Sequence, residues 1–208
     1  TAGMVKELRE ITGLGMMTCK KALTESNGDM EEAITELRKK GEATAEKRAD
    51  KDAMEGAVTA KIDGSTAVIF KVNCETDFVA RNEEFIGFAN GFASVAFEAK
   101  TDSIETINGL SYKGLTIAKH LEDLVGKIGE KIEIGSFKKL SAPFVGSYIH
   151  AGNRIATLVG LSASVPGCET IAKDVAMQAA AMNPVALNES QVDQAIIDKE
   201  IEIAKDQL

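Results

Sequence analysis

Between Met4 and Ala49, apolar residues recur at helical spacing: Val5, Leu8 and Ile11, then Met16, Cys19 and Leu23, then Met30, Ala33, Ile34 and Leu37. Residues three and four apart share one face of a helix, so each set predicts a short helix with a buried stripe. Gly13-Leu14-Gly15 breaks the first helix from the second, and Asn27-Gly28 is a C-terminal stop for the second. Asp29 is placed to cap the third, ahead of Glu31 and Glu32. The stretch Gly41 to Glu55 is polar and alanine-rich with no apolar stripe. It predicts a solvated helical extension or linker, and a domain boundary.

Beyond Glu55 the period changes to two. Val58, Ala60 and Ile62, a turn at Asp63-Gly64, and Val68, Phe70, Val72 and Cys74 predict a β-hairpin. A helix is expected from Asn82 to Ala99. Roughly 90 residues on, the order recurs. Gly146 to His150, a turn through Gly152-Asn153, the strand Ile155 to Leu161 and a helix from Cys168 to Met182 follow one another. Gly56 aligns with Gly146 and Val68 with Leu158 without a gap, which suggests two copies of one hairpin-plus-helix unit. Between the copies a helix around Leu115 to Val125 and a strand from Lys131 to Phe137 are expected, and Glu189 to Leu208 reads as helical.

Composition narrows the function classes. The 208 residues carry 24 basic against 32 acidic side chains, a net charge of −8. That field repels phosphate backbones. With no Trp and only two Tyr, no basic stretch interleaved with aromatics offers a base-stacking platform. A protein partner suits this surface better than nucleic acid. No apolar run approaches the ~20 residues of a membrane span and no signal peptide is evident, so no membrane role and a cytoplasmic location are expected. Cys19, Cys74 and Cys168 are far apart and none pairs at zinc-ligand spacing; they are expected to be reduced, mostly buried thiols.

No residues assemble a catalytic constellation. His120 and His150 are the only histidines, and neither belongs to a nucleophile or metalloprotease pattern. An enzyme is therefore not expected, nor a cofactor or metal. Gly13-Leu14-Gly15-Met16-Met17 with Lys20 is not a phosphate loop, because no strand precedes it. Met16 and Met17 could lie in the helical core, yet adjacent positions on a helix cannot both face it, so at least one is expected outside, where a flexible thioether suits protein binding. Asn73 to Asn82 joins a strand to a helix. Either Thr76, Asp77 or Asn82 caps that helix while Phe78 closes over the core, or Phe78 is an exposed probe for a partner pocket. His150 is expected at a hairpin tip.

Two segments, Thr12-Gly-Leu-Gly-Met-Met-Thr-Cys-Lys-Lys-Ala-Leu23 and Asn73-Cys-Glu-Thr-Asp-Phe-Val-Ala80, closely resemble the two signatures of the bacterial elongation factor Ts family. The resemblance extends over Val125-Gly-Lys-Ile-Gly-Glu-Lys-Ile132 and Gly146-Ser-Tyr-Ile-His150. It implies an α+β fold: a three-helix module like a ubiquitin-associated domain with a linker helix over residues 1–52, a first core subdomain over 53–140 and a second over 141–208. The family acts on elongation factor Tu, promoting release of GDP during translation. By resemblance Thr76, Asp77, Phe78 and Val79 form a tip that displaces the partner's magnesium, with Phe78 wedged into its G domain. Met16, Met17 and Lys20 would hold the amino-terminal module on that domain, and His150 would approach another domain. The alternative is a binding module of another kind, docking ubiquitin-like or nascent-chain segments on a scaffold core. Where some members have a histidine this chain has Gln178, and no role is carried to it. Family members of this type continue into an inserted helical hairpin, and Leu208 falls within what resembles its first helix, so a shortened second subdomain is expected.

Overall fold

The computed structural model describes residues 1–99, 101 and 103–207; Leu208, the end of the last expected helix, lies outside them. The chain opens with α1 (Ala2–Thr12), α2 (Met16–Glu25) and α3 (Met30–Arg48). Gly13 ends α1 at φ 67° and returns its N–H to the Arg9 carbonyl at 2.8 Å, a left-handed cap that suits glycine. Asp29 caps α3 as expected, accepting the Glu32 N–H at 2.9 Å. The apolar stripes converge on a small core of Leu8, Cys19, Ala22, Leu23, Ala33 and Leu37.

Two antiparallel strands, β1 (Glu55–Asp63) and β2 (Thr66–Cys74), form the first hairpin. They lead into a one-turn helix α4 (Asp77–Ala80) and then α5 (Glu83–Glu98). Next come α6 (Ile104–Asn108), a small ribbon of β3 (Ser111–Tyr112) and β4 (Leu115–Thr116), and α7 (Ile117–Ile128). Then β5 (Glu133–Ser141) returns to pair with β2, making a sheet of order β1-β2-β5. The second hairpin, β6 (Phe144–Ile149) and β7 (Ala156–Leu161), is followed by α8 (Cys168–Met182), a 3-10 turn at Glu189–Gln191, and α9 (Gln194–Asp206). The α+β class and both hairpin-plus-helix units are present. The last helix starts later than expected because Asp193, not Glu189, supplies its cap.

The hairpins lie back to back. Across β1 and β2, Thr59 opposes Phe70 and Ala57 opposes Val72. Directly opposed residues share a face, so Ala57 and Thr59 join Val68, Phe70, Val72 and Cys74 on the side covered by α5. Val58, Ala60 and Ile62, the alternating set read from the sequence, lie on the other face, toward β6 and β7. A sheet covered on both sides carries two apolar faces, and alternation by itself does not say which is which. On the second hairpin, Gly160 approaches Leu140 and Ala142 of the sheet side, while Gly146 approaches Ala172 of α8. The layers therefore run α5, sheet, second hairpin, α8.

The helical extension expected from Gly41 onward is present as far as Arg48 and is exposed or half-buried beyond Gly41, but one side of it is docked rather than solvated. Helix α3 continues through Arg48, Gly41 is buried, and Ala45 packs on the larger core. Gly41 meets Gly126 of α7 so closely that a Cβ on Gly126 would lie 2.7 Å from the Gly41 Cα. Lys119 joins the same seam by pairing with Glu42, and also pairs with Glu122 at 2.9 Å. Two small residues let two helix backbones touch, so this segment needs no large apolar side chains to dock. Gly126→Ala is expected to force α3 from α7 and destabilise the protein by about 1–3 kcal/mol. A thermal melt checks this, and an unchanged midpoint would show that the seam is slack.

Candidate partner-binding surface

The tip begins where β2 ends. Phe78 sits in the one-turn helix α4 and is 84% exposed. The reading in which it closes over the core does not hold: Ala80 and Phe85 take the buried positions beneath it. Asn82 caps α5, its side-chain oxygen accepting the Glu84 and Phe85 N–H groups at 2.9 and 3.1 Å. Thr76 is the residue before α4 but its hydroxyl makes no cap; it donates instead to Glu130 at 2.6 Å. Asp77 pairs with Arg81 at 2.9 Å, and Val79 is half-buried against the core. Of the four residues expected at the tip, Phe78 alone offers a largely bare apolar side chain.

What holds the tip was not apparent from the sequence. The Glu130 carboxylate accepts the backbone N–H groups of Glu75 and Thr76 at 3.1 and 3.0 Å, besides the Thr76 hydroxyl. Reciprocally, Glu75 accepts the Lys131 N–H at 2.6 Å and the Arg48 guanidinium at 3.0 Å. Cys74, buried below, donates its thiol to the Thr76 carbonyl at 3.2 Å. Burial, reinforced by the Glu130 and Glu55 carboxylates, pushes this thiol up to about 12, so it stays protonated and unreactive at neutral pH. The only hint of Glu130 in the sequence was its place directly after Gly129, the left-handed cap of α7.

His150 lies immediately after β6, exposed, with its N–H donated to the Ile155 carbonyl at 2.9 Å. Its Nδ1 is 2.9 Å from the Tyr148 hydroxyl, a neighbour that strand alternation could have supplied, since residues two apart share a face. Tyr148, His150, Ile155, Met177 and Gln178 line a shallow cavity of about 490 Å³. The turn itself is not free: Asn153 accepts the Val58 N–H at 2.7 Å, and Arg154 pairs with Glu55. Because Glu55 stands opposite Cys74, this stitching brings the His150 turn to the end of the sandwich that bears Phe78. The two are nevertheless not equivalent parts of the repeat. The ungapped correspondence that pairs Gly56 with Gly146 pairs Phe78 with Cys168, which is buried at the start of α8. His120, by contrast, is structural, its Nε2 lying 2.7 Å from the Tyr112 carbonyl within an aromatic cluster.

On the amino-terminal helices Met16 and Met17 are both outside, 59% and 73% exposed. With Met4, Val5, Leu23 and Lys20 they line a groove of about 790 Å³ between α1 and α2. Met16 opens its helix and Met17 follows it on the side away from Cys19 and Leu23, so neither is drawn into the core. Lys6, Arg9 and Lys20 give the groove a basic rim on an otherwise acidic chain. Among the described residues no three His, Cys, Asp or Glu side chains form a metal site, and no helix is long and apolar enough to cross a membrane.

Known proteins resemble this chain along its length. A sequence model of the family described as "Elongation factor TS" matches residues 75–208. Elongation factor Ts of Christiangramia forsetii is 59% identical over 210 aligned residues, spanning 100% of this chain and 76% of the relative. That of Flavobacterium psychrophilum is 52% identical over the same spans, and that of Porphyromonas gingivalis is 44% identical over 97% of this chain and 73% of its own. With identity at this level over the whole chain, this protein belongs to the elongation factor Ts family.

Proposed function

We propose that the chain is a guanine-nucleotide exchange factor that binds elongation factor Tu carrying GDP and speeds release of the nucleotide. The observation that carries this reading is Phe78, 84% exposed on a one-turn helix whose flanks are anchored on both sides. A large apolar side chain held outside the core costs solvation that only a partner's pocket can recover, and burying it there is worth about 1.5–3 kcal/mol. Inserted near the magnesium and phosphate-binding loop of the partner's G domain, it disturbs groups that hold GDP.

The energetics follow from linkage. A factor that binds the nucleotide-free partner more tightly than the GDP form weakens GDP by the same ratio, and each ~1.4 kcal/mol of that difference is tenfold in affinity. No covalent step is needed. The α1/α2 groove and the His150 turn serve as anchoring contacts, and multiple attachments to one partner raise the effective concentration of the wedge.

The direct test is release of fluorescent GDP from elongation factor Tu at substoichiometric chain. Turnover is expected, and a release rate equal to the spontaneous one would refute the proposal. In the same assay His150→Ala is expected to raise the half-saturating concentration by about tenfold, equivalent to ~1.4 kcal/mol of docking energy, with little change in plateau rate. A variant that lowers the plateau alone would show that His150 acts on release and not on docking.

A further inference from the structure

The loop that carries Phe78 could be expected to wander, since it joins a strand to a four-residue helix. It is instead held by two carboxylates that cross between neighbouring segments. Glu130, from the turn after α7, accepts three hydrogen bonds from the base of the tip: the Glu75 and Thr76 N–H groups and the Thr76 hydroxyl. Glu75, from the base of the tip, accepts the Lys131 N–H from the segment that carries Glu130. Arg48 at the end of α3 donates to both oxygens of Glu75, at 3.3 and 3.0 Å. The side chains of Glu75 and Thr76 are only partly exposed, so these bonds are shielded from competing water more than surface pairs are.

From this geometry we infer that Glu130 and Glu75 form a reciprocal clasp that sets the orientation of the exchange tip, with Glu130 as its positioning residue and Arg48 tying it to the amino-terminal helices. Glu130 does not touch the partner; it acts through Thr76 and the backbone on which Phe78 is mounted. The clasp rests on the proposed exchange function for its consequence, but its existence does not depend on that reading. Preorganisation explains why so small a helix can serve as a wedge: a backbone already held in one conformation leaves only the side chain to be ordered on contact, whereas a mobile loop would have to be ordered as well. The link through Arg48 also gives the docked α3 a purpose beyond covering α7, because the same helix that supports the Met16-Met17 groove's module ends on the tip's own carboxylate.

The conservative replacement separates positioning from charge. In Glu130→Gln the amide oxygen can accept the two N–H groups while the amide nitrogen donates to the Thr76 hydroxyl, so the orientation is kept. In Glu130→Ala both N–H groups lose their acceptor. The experiment reads amide hydrogen exchange of the 74–82 segment and GDP release from elongation factor Tu on the full chain and both variants. Glu130→Ala is expected to deprotect the segment and lower the plateau rate by about tenfold, in the range that remote misplacement of a working group produces. Half-saturation should change much less, and Glu130→Gln should restore both readouts. Protection unchanged in Glu130→Ala would overturn the clasp. Lost protection with a full plateau rate would overturn the claim that the clasp positions the tip. If the unmodified chain releases no GDP, the exchange reading fails by itself, and amide exchange still decides whether the clasp is there. Should Glu130→Ala not fold, equal loss of protection and rate in the folded Glu130→Gln variant would count against positioning by geometry.

Discussion

Phe78→Ala is expected to slow stimulated GDP release by at least about tenfold while changing the stability by no more than is typical of surface substitutions, about ±0.5 kcal/mol. Both halves follow from one number. A side chain 84% exposed has little native contact to lose, and Ala80 and Phe85 beneath it remain packed. The functional loss comes from the complex, where the ring would be buried and its removal forfeits most of its transfer energy. The check is a plateau-rate measurement at saturating chain, paired with a thermal melt of the same sample. A normal plateau rate in the folded variant would remove Phe78 from the release step. A large drop in stability would instead show that the ring supports the fold.

Eight positions earlier the same substitution should do the reverse. Phe70 is fully buried at the centre of β2, with edge contacts to Phe92 of α5 at 6.5 Å and Phe137 of β5 at 6.0 Å. It joins the sheet to its covering helix, and neither partner can collapse far without losing the others. Phe70→Ala is expected to cost about 3–5 kcal/mol, a fall in melting temperature of roughly 6–20 °C for a chain of this size. Denaturant unfolding provides the measurement. A loss below about 1 kcal/mol would mean that the core repacks around the gap. The plateau exchange rate of the folded fraction should stay close to that of the unmodified chain, because Phe70 makes none of the hydrogen bonds that hold the tip. The pair of phenylalanines thus separates what holds the protein together from what it offers to a partner.

Local chemistry was enough to read much of this protein. The three amino-terminal helices, their stops at Gly13 and Asn27-Gly28 and the Asp29 cap follow from spacing and turn residues, because helix periodicity and capping depend on neighbours within a few positions. Both hairpins and the helix from Cys168 to Met182 were legible for the same reason, and the two signature segments carried the family. Other features depend on residues distant in sequence. Nothing near Gly41 announces that it will touch Gly126, since a glycine–glycine contact removes the apolar side chains that would have marked it. Alternation in β1 identified a strand but not its inward face, because the second hairpin covers the side that a single-layer reading leaves to solvent. The ambiguity at Phe78 was of the same kind: a ring after a strand can turn in or out, and the core below it was already filled by Ala80 and Phe85, which only packing reveals. Glu130 shows the limit most clearly. Its carboxylate lies 55 positions from Glu75 in the chain, and its role exists only where two loops meet. Sequence determined the elements and their caps, whose energies are local; tertiary structure decided which faces are buried, which ring stands free and what holds it there, because those are set by contacts between distant segments.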